Sequence, residues 1–257
     1  MVDLIWADSA DPADFFWAHR GLSGSYPENT IPSLSAAYES GAKWIETDVD
    51  ICDDGTLLIC HDSTLDRTTN VSGRAVDLVA EDLAHVDAGG WFSPKFVGTP
   101  LPSLDEVVAL VNETGGNLNL ELKPTEAGAR AAHSLVSGVL DELEAIEDPS
   151  RVLISSFSPL LLATLHQAAP QYPIACLFEQ ATLGPDWLTV CELVGASAIH
   201  PELAGLTREM VQEFKAAGLQ VHVWTVNDLA TANKLRNWGV DAVFTDFADR
   251  FIAAWAN

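Results

Sequence analysis

The sequence predicts an α/β protein folded as a TIM-type (β/α)8 barrel, with a small insertion after the second strand and its hairpin. Three observations favour this fold. Short β-branched or apolar runs alternate with longer stretches of helical pattern along the 257 residues, as in repeated βα units around a parallel sheet. The apolar runs number eight, which is the strand number of such a barrel. Polar residues stand where several of the runs end, at the face that carries barrel active sites.

The predicted strands are rich in valine, isoleucine, leucine and aromatic residues. They are Phe15–Ala18, Trp44–Ile51, Asn117–Leu122, Val152–Ser156, Ile174–Phe178, Ala196–Ile199, Gln220–Val226 and Ala242–Thr245. The predicted helices between them carry ordinary start and stop residues. Among these helices are Ile31–Ser40 after Asn29 or Thr30, Ser158–Ala168, Arg208–Ala217 before Gly218, and Leu229–Trp238 before Gly239. We therefore expect a single barrel domain over residues 1–257.

The stretch 62–102 does not fit a plain barrel, because it is long, polar and rich in glycine and proline. Loops of such length in compact domains are usually functional or disordered. Trp91, Phe92 and Phe96 lie within it and favour order. We expect residues 62–102 to form a small folded lid or subdomain near one end of the barrel.

The charge and cysteine content limit the partners and the compartment. Thirteen Lys and Arg against 37 Asp and Glu give a net charge of −24, which repels nucleic acid and anionic membrane surfaces. We expect no nucleic-acid partner and no stable membrane insertion, and a homo-oligomer stays open. Residues 1–14 contain no Lys or Arg and no long apolar run, which indicates no secretory signal. The four cysteines lack metal-type spacing and are predicted to be buried thiols of a cytoplasmic protein.

The second strand predicts a first group of converging polar side chains. Asp54-Gly55 is a favoured two-residue hairpin turn, and counting back from it pairs Asp48 with His61. Directly opposed residues of a hairpin lie about 5 Å apart on one face. Glu46 shares that face because side chains alternate along a strand. We therefore expect Glu46, Asp48 and His61 to converge.

The third strand adds another carboxylate to this group, Glu121, with Lys123 on the same face. Three carboxylates without enough cations repel one another, and a bound divalent ion relieves the repulsion. Ligation by oxygen alone favours Mg²⁺ or Ca²⁺ over zinc. The sequence therefore predicts a metal site at Glu46, Asp48 and Glu121.

The remaining polar groups suit a phosphodiester. Arg20 and Lys123 offer a guanidinium fork and a point charge for the non-bridging oxygens. His19 and His61 suit an acid and a base, since an imidazole both takes and gives a proton near neutral pH. These residue types in one barrel mouth suit phosphate binding and proton transfer at a phosphodiester.

For several other residues a structural and a functional interpretation stand side by side. Phe157 and Trp224 either pack the barrel mouth or lie against an apolar face of the substrate. Glu28-Asn29-Thr30 opens a helix, so it either caps that helix or supports the site. A structural role is the simpler expectation for the other histidines, which are His85, His133, His166, His200 and His222.

Several motifs resemble those of the glycerophosphodiester phosphodiesterase family in order and spacing. They are His19-Arg20-Gly21, Glu28-Asn29-Thr30, Glu46-Thr47-Asp48, His61-Asp62, Leu65-Asp66-Arg67-Thr68-Thr69, Asp87-Ala88-Gly89, Trp91-Phe92-Ser93, Glu121-Leu122-Lys123, Ser155-Ser156-Phe157, Trp224-Thr225-Val226-Asn227 and Thr245-Asp246. The resemblance covers nearly the whole chain, and the expected lack of a secretory signal resembles the cytosolic bacterial members of the family. It implies a Mg²⁺ or Ca²⁺ site at the three carboxylates and an acid-base pair of the first two histidines. In one departure, Leu22 stands where family members often have a second glycine, which affects loop shape more than chemistry.

The resemblance implies hydrolysis of glycerophosphodiesters, such as glycerophosphocholine and glycerophosphoethanolamine, to sn-glycerol 3-phosphate and an alcohol. One alternative is a lysophospholipase D-like or phosphoinositide-type phosphodiesterase on the same barrel. Another is a non-catalytic barrel that binds glycerophosphodiesters. Schiff-base chemistry at Lys123 is disfavoured, because its carboxylate neighbours keep the amine protonated. For the hydrolysis itself, attack by the substrate's own 2-hydroxyl competes with attack by water.

Overall fold

The computed structural model describes residues 10–123 and 128–255, in which eight parallel strands close a barrel. The strands in chain order are β1 (Phe16–Ala18), β2 (Trp44–Ile51), β3 (Leu57–Leu58), β4 (Asn117–Leu122), β5 (Val152–Ser156), β6 (Ile174–Phe178), β7 (Ala198–Pro201), β8 (Gln220–Val223) and β9 (Ala242–Thr245). All are parallel members of the barrel except β3, which pairs antiparallel with β2. β1 pairs with both β2 and β9 and so closes the ring. The predicted (β/α)8 barrel is confirmed.

The helices lie between the strands, as the repeated βα units require. They are α1 (Pro12–Phe15), α2 (Ile31–Glu39), α3 (Ala80–Leu83), α4 (Leu104–Thr114), α5 (Ala129–Leu143), α6 (Pro159–Ala168), α7 (Trp187–Val194), α8 (Arg208–Ala216), α9 (Leu229–Trp238) and α10 (Ala248–Trp255). Short 3-10 turns occur at Ala75–Asp77, Pro94–Phe96 and Pro149–Arg151. The predicted terminal residues Ser40, Ser158 and Ala217 are caps outside the helices.

Alternation along the strands divides the buried side chains between two apolar layers. Outward positions such as Phe16, Ile45 and Val243 pack with the helices in the large cluster between sheet and helix ring. Inward positions form a second cluster, whose fully buried members are Trp17, Trp44, Leu153, Ala175, Ala198, Ala242 and Phe244. The Trp17 and Trp44 rings stack with centroids 4.2 Å apart. Because most of these inward residues stand near the strand starts, the polar cavity forms at the opposite, carboxyl end.

Four predicted strand boundaries are wrong, although the strands exist. Phe15 ends α1 instead of opening β1. β7 starts at Ala198 and not at Ala196, because the backbone of Ala196 still donates to Cys191 of α7. It ends at Pro201 and not at Ile199. β8 ends at Val223 and not at Val226. Trp224 therefore lies just after its strand, where it forms an isolated bridge with Glu202.

The predicted register of the β2–β3 hairpin is wrong by one residue. The amide of Cys52 donates to the carbonyl of Thr56 at 2.9 Å, so the loop has three residues and Gly55 takes the left-handed backbone at φ +95°. A three-residue hairpin loop with glycine in this position is a common alternative to the two-residue turn. The ladder accordingly pairs Asp50 with Leu58 and ends there. Asp48 and His61 are thus not directly opposed residues of the hairpin.

Residues 62–102 pack around a small apolar cluster of their own. Its fully buried members are Cys52, Leu58, Cys60, Leu65, Ala75, Leu83, Val86, Ala88 and Leu101, of which the first three come from the hairpin. Two of the aromatic residues that favoured order make ring contacts: Phe92 and Phe96 lie 5.9 Å apart, and Phe96 lies 5.4 Å from Tyr26 of the barrel. The division into one domain, 1–257, with an insertion at 62–102 stays a prediction.

The structure bears on the predictions about membrane insertion and cysteines only through the residues that it describes. In the described ranges no helix is both long and apolar enough to cross a membrane. All four cysteines lie in those ranges and are buried thiols, as predicted: Cys52, Cys60, Cys176 and Cys191. Residues 1–9, on which the prediction of no secretory signal largely rests, lie outside the described residues.

Candidate active site

The strand ends of the barrel surround a cavity of about 760 Å³. It brings together eight of the nine residues that the sequence predicts for the site, namely His19, Arg20, Glu46, His61, Glu121, Lys123, Phe157 and Trp224. The ninth, Asp48, is fully buried beside Glu46 and Glu121. Residues spread over more than two hundred positions thus meet because parallel barrel strands end at one face.

The three predicted metal ligands form a compact group of carboxylates. Glu46 and Asp48 stand two residues apart on β2 and so point to the same side, and Glu121 on β4 lies beside Asp48 in the parallel register. Potential ligand oxygens of all three lie within 4.8 Å of one another, the one such group of potential metal ligands in residues 10–123 and 128–255. All three side chains are buried.

Burial sets up strong repulsion within this carboxylate triad. Burial, with the charges of Asp48 and Glu121 beside it, raises the pKa of Glu46 well above its usual value. Burial and the Asp48 charge also raise the pKa of Glu121 to about 7, against the pull of Lys123. A divalent cation would relieve this repulsion, and carboxylate oxygens are the donors that hard cations prefer. The donor set therefore fits such an ion.

Two basic side chains already lie against the triad. The Lys123 ammonium is 2.7 Å from Glu121 Oε1 and 3.3 Å from Asp48 Oδ1, and Arg20 Nε is 3.4 Å from Asp48 Oδ2. Burial opposes these charges, but the carboxylates raise the pKa of both groups above their ordinary values. Both residues therefore stay cationic while lining the cavity. A protonated Lys123 is unsuited to Schiff-base chemistry.

Each predicted catalytic histidine is held by an aspartate. His19 follows β1, and its Nδ1 lies 2.7 Å from Oδ1 of Asp246, which follows β9. Asp246 also accepts hydrogen bonds from Ser23 Oγ at 2.9 Å and Asn227 Nδ2 at 2.6 Å. Burial alone would raise the pKa of Asp246, but the hydrogen bonds from His19 and these neighbours lower it to about 2. Asp246 is therefore a fixed anion that orients His19.

His61 is held in the same way by its neighbour in sequence. Its Nδ1 lies 2.7 Å from Asp62 Oδ1. Burial is the main reason why the pKa of His61 is lowered from its ordinary value, and the positive charges of Lys123 and Arg20 add to it against the carboxylates. Because Nδ1 of each histidine is turned to an aspartate, Nε2 is the nitrogen that each presents to the cavity.

The comparisons with known proteins agree with this geometry. The sequence model of the glycerophosphoryl diester phosphodiesterase family matches residues 19–250. The chain belongs to this family. A glycerophosphodiester phosphodiesterase of Bacillus subtilis (strain 168) is 33% identical over 246 residues, covering 91% of this chain and 84% of that protein. One of Bacillus altitudinis is 34% identical over 239 residues, covering 92% of this chain and 96% of that protein.

A solved structure extends the likeness within the glycerophosphoryl diester phosphodiesterase family. It is that of an Oleispira antarctica phosphodiesterase in complex with the product sn-glycerol-3-phosphate. Its TM-score is 0.88 and its sequence identity 31%, with 95% of this chain and 97% of that chain covered. The family is divalent-metal-dependent, and the carboxylate triad is where the residues of this member would hold the ion.

An ion-pair chain that the sequence did not predict connects Asp62, behind His61, to Arg20. Arg67 Nε donates to Asp62 Oδ2 at 2.6 Å, and its terminal nitrogens donate to Glu28 at 2.7 and 2.8 Å. Glu28 in turn accepts from Arg20 at 2.7 Å. The chain therefore runs from the aspartate behind His61 to the guanidinium beside the triad. The motifs holding Glu28 and Arg67 were visible in the sequence, but their contact was not.

Asn29 supports the triad instead of capping α2. It has a left-handed backbone at φ +55°, which asparagine tolerates better than most residues. Its Nδ2 donates to Asp48 Oδ2 at 2.8 Å, and its Oδ1 accepts from Thr47 at 2.8 Å. Thr30 occupies the N-cap position of α2 without a side-chain capping bond. Of the two interpretations of Glu28-Asn29-Thr30, the supporting role fits the structure.

Two aromatic side chains also line the cavity. The rings of Phe157, after β5, and Trp224, after β8, meet edge to face with centroids 5.5 Å apart. The indole nitrogen of Trp224 donates to the His200 carbonyl at 2.9 Å, which fixes the ring. Leu22, the one departure from the family pattern, is buried in the large apolar cluster and not in the cavity.

Proposed function

We propose that this chain hydrolyses glycerophosphodiesters to sn-glycerol 3-phosphate and an alcohol, with His19 and His61 as its acid-base pair. Glycerophosphocholine and glycerophosphoethanolamine are the expected substrates. The observation that carries the proposal is one cavity in which two aspartate-held histidines stand beside a buried carboxylate triad. Membership of the family supports the same reaction, since the Bacillus relatives carry its name and the Oleispira protein holds its product.

The two histidines divide the proton transfers. A neutral imidazole takes a proton from the attacking hydroxyl through Nε2, and the protonated imidazole of the other gives one to the departing alcohol oxygen. Asp246 and Asp62 keep each ring in the orientation and tautomer that presents Nε2. Both histidines regain their starting protonation states after one turnover, because the two steps of hydrolysis transfer the protons in opposite directions.

We infer that the ion of the triad is Mg²⁺ or Ca²⁺. Glu46, Asp48 and Glu121 offer hard carboxylate oxygens, which favour these ions over zinc. A bound ion at this position supplies Lewis-acid stabilisation of negative charge on oxygen. The rest of the chemistry falls to the side chains of the chain itself.

Binding of the substrate divides between the charged and the aromatic sides of the cavity. Arg20 and Lys123 hold the non-bridging phosphate oxygens, since both are cationic and both line the cavity. Phe157 and Trp224 offer an apolar wall to the carbon face of glycerol. The charged groups thus bind the phosphate and the aromatic rings bind the glycerol carbons within the cavity that both histidines line.

We favour attack by the substrate's own 2-hydroxyl over direct attack by water. That hydroxyl is adjacent to the phosphodiester and needs no separate positioning. One histidine removes its proton, its oxygen forms the new P–O bond, and the bond to the leaving alcohol breaks as the other histidine protonates that alcohol. Water then opens the five-membered cyclic phosphate with the histidine roles exchanged. An analogue without the 2-hydroxyl should bind but turn over very slowly, and turnover at the parent rate would exclude this route.

One assay tests the proposed function. The purified chain is incubated with glycerophosphocholine, glycerophosphoethanolamine, glycerophosphoinositol and lysophosphatidylcholine, each with Mg²⁺, Ca²⁺, Mn²⁺ or EDTA, and sn-glycerol 3-phosphate and choline are measured. We expect release of glycerol 3-phosphate with a divalent ion and loss of it in EDTA. Full activity in EDTA would contradict the metal site. Choline release from lysophosphatidylcholine alone would favour the lysophospholipase D-like alternative, and binding without turnover a non-catalytic barrel.

Other features of the proposal rest on composition alone. The cytoplasmic location and the lack of a nucleic-acid partner rest on the acidic charge and the thiols. A homo-oligomer stays open. Fractionation of cells and light scattering of the purified chain test them.

A further inference from the structure

Part of the active-site cavity is lined by polar side chains of the barrel strands. Three inward side chains form it: Asn119 of β4, Ser155 of β5 and His200 of β7, all of which line the cavity. None of these residues is more than 1% exposed. We refer to Asn119, Ser155 and His200 as the polar floor.

The polar floor has more hydrogen-bonding capacity than the protein uses. Asn119 Nδ2 donates to Ser155 Oγ at 3.0 Å, while its Oδ1 is buried with no partner in the described part of the chain. Turning the amide over exchanges the two atoms and still leaves one of them without a partner. Buried polar atoms are normally hydrogen-bonded, because leaving them unpaired destabilises a protein.

His200 of the polar floor also has a buried polar atom without a hydrogen-bond partner in the described ranges. Its Nε2 lies 2.9 Å from Nδ1 of His222, which is also fully buried. Its Nδ1 is buried and has no hydrogen-bond partner among residues 10–123 and 128–255. Two side chains that line the cavity therefore each keep a buried polar atom without a partner in those ranges.

The floor is electrically neutral, in contrast to the rest of the site. Burial lowers the pKa of His200 to about 3, so its ring is uncharged at neutral pH. The cations that suit a phosphate, Arg20 and Lys123, lie against the carboxylate triad instead. A phosphate therefore has no reason to occupy the floor. A hydroxyl group fits it, because a hydroxyl both donates and accepts, as an amide and a neutral imidazole require.

The floor also lies within reach of a substrate bound at the triad. Asn119 is the register neighbour of Glu46, and Ser155 is that of Glu121. Each floor residue of β4 and β5 is thus one strand away from a carboxylate of the triad. A diester held there would place an adjacent part of itself over the floor.

We propose that the polar floor is a binding subsite for a neutral hydroxyl group of the diester, and that it selects hydroxyl-bearing substrates. The inference rests on the proposed function. The hydroxyl comes either from the terminal position of the glycerol moiety or from a leaving alcohol that is itself a polyol. In both cases Asn119, Ser155 and His200 determine specificity without taking part in the proton transfers.

The test compares variants of the floor across three substrates. Asn119→Leu, Ser155→Ala and His200→Phe remove its hydrogen bonds, and Leu177→Met, on the same cavity wall, is the matched control. The substrates are glycerophosphocholine, its analogue without the terminal glycerol hydroxyl, and glycerophosphoglycerol. We expect floor variants to raise KM about three- to tenfold for the substrate whose hydroxyl is bound. The floor variants should not change KM for the substrate that lacks this hydroxyl. Leu177→Met should not change KM for any of the three substrates.

The pattern of KM identifies the source of the hydroxyl. If it is that of glycerol, the variants lose discrimination between glycerophosphocholine and its deoxy analogue. If it is that of the leaving alcohol, they lose discrimination between glycerophosphoglycerol and glycerophosphocholine. Unchanged ratios in all three variants would overturn the inference and leave a floor that holds only water.

Thermal melting separates a binding role from a structural one. The double variant Asn119→Leu/Ser155→Ala replaces underused polar groups by apolar ones, so its Tm should stay equal to that of the parent or rise. A lower Tm together with an equal loss of activity on every substrate would mean that the floor is structural, against the proposal. If the larger variants fail to fold, the same measurements are made on Ser155→Ala, which is the smallest change. A parent that releases no glycerol 3-phosphate from any diester would instead contradict the proposed function itself.

Discussion

The two histidines of the site are oriented by the same contact but by different parts of the molecule. His19 meets Asp246 across the closure of the barrel, where β1 pairs with β9, and the two residues are 227 positions apart. His61 meets Asp62, its neighbour in sequence, beyond the end of the β2–β3 hairpin. A 2.7 Å contact holds each ring.

The surroundings of the two aspartates differ in kind. Asp246 is fixed by neutral donors, Ser23 and Asn227, next to the barrel wall. Asp62 is fixed by the charged side chain of Arg67, which also bridges to Glu28. The first arrangement depends on the closed barrel and the second on ion pairs partly open to solvent. This contrast predicts that the His19 side resists salt and single surface changes better than the His61 side does.

The largest expected effect comes from removing either ring. His19→Ala and His61→Ala should each lower kcat on the order of 10²-fold or more, as for general acid-base groups, with the barrel intact. Stopped assays of glycerol 3-phosphate release measure the loss, and circular dichroism checks the fold. If both variants turn over at the parent rate, the histidines are structural and the proposed mechanism is wrong.

Removing the aspartates should have a smaller effect and tests the symmetry of the two arrangements. Asp246→Asn and Asp62→Asn each keep shape but lose the fixed anion, and we expect each to lower kcat about 10- to 100-fold, the usual range for groups that orient a functional side chain. KM should change less than kcat, because neither aspartate is expected to touch the substrate. If Asp→Ala variants at both positions lose as much kcat as the Asp→Asn variants, the negative charge is what matters. If the kcat values of the Asn variants stay within twofold of the parent, neither aspartate takes part in the mechanism.

Much of this site could be predicted because strand ends of a barrel converge wherever the strands are recognised. The gathering of Glu46, Glu121, Phe157 and Trp224 followed from that rule alone, and the structure brings them together. The hairpin register could not be derived, since two- and three-residue loops both suit Asp54-Gly55. His61 nevertheless reaches the cavity.

The contacts that the sequence did not predict were missed for different physical reasons. The ion-pair chain through Glu28 and Arg67 joins loops whose relative placement no local pattern encodes. Asp246 stood at a predicted strand end, and the convergence rule itself was a signal that could have found it. The polar floor was missed because inward positions of a barrel strand look alike in sequence, whether they fill the core or line a cavity. Only the cavity seen in the structure distinguishes Asn119 and His200 from inward residues that fill the core.

A charge substitution at Arg67 tests the His61 side alone. Arg67→Ala should lower kcat a few-fold, since ion pairs that are partly solvent-exposed contribute about 1 kcal/mol or less, and it should make the residual rate less dependent on salt. Arg74→Ala is the matched control, because Arg74 makes an exposed ion pair with Asp77 at 3.9 Å. Kinetics over a range of NaCl concentrations measure the difference. A parent-like rate and salt profile for Arg67→Ala would show that Asp62 needs no ionic support.

The smallest expected effect concerns stability in acid. The pKa values of Asp62 and Asp246 are both lowered to about 2, since hydrogen bonds from Arg67 and His61, and from His19 and Asn227, outweigh burial. A depressed carboxyl pKa contributes stability that is complete above the unfolded value near 3.8 and is lost as pH falls towards 2. The stability that the parent has over Asp62→Asn or Asp246→Asn should therefore shrink across that window.

The same measurement separates the two aspartates. In an Arg67→Ala background the Asp62 carboxyl loses its principal hydrogen-bond donor and keeps the contact with His61, so the additional effect of Asp62→Asn on acid stability should become smaller. The effect of Asp246→Asn should persist there, because its donors do not include Arg67. Urea unfolding at several pH values between roughly 2 and 5, spanning the ordinary carboxyl pKa, measures both differences. Equal behaviour of the two aspartates in that background would show that the barrel closure and the ion-pair chain are not the separate supports their contacts indicate.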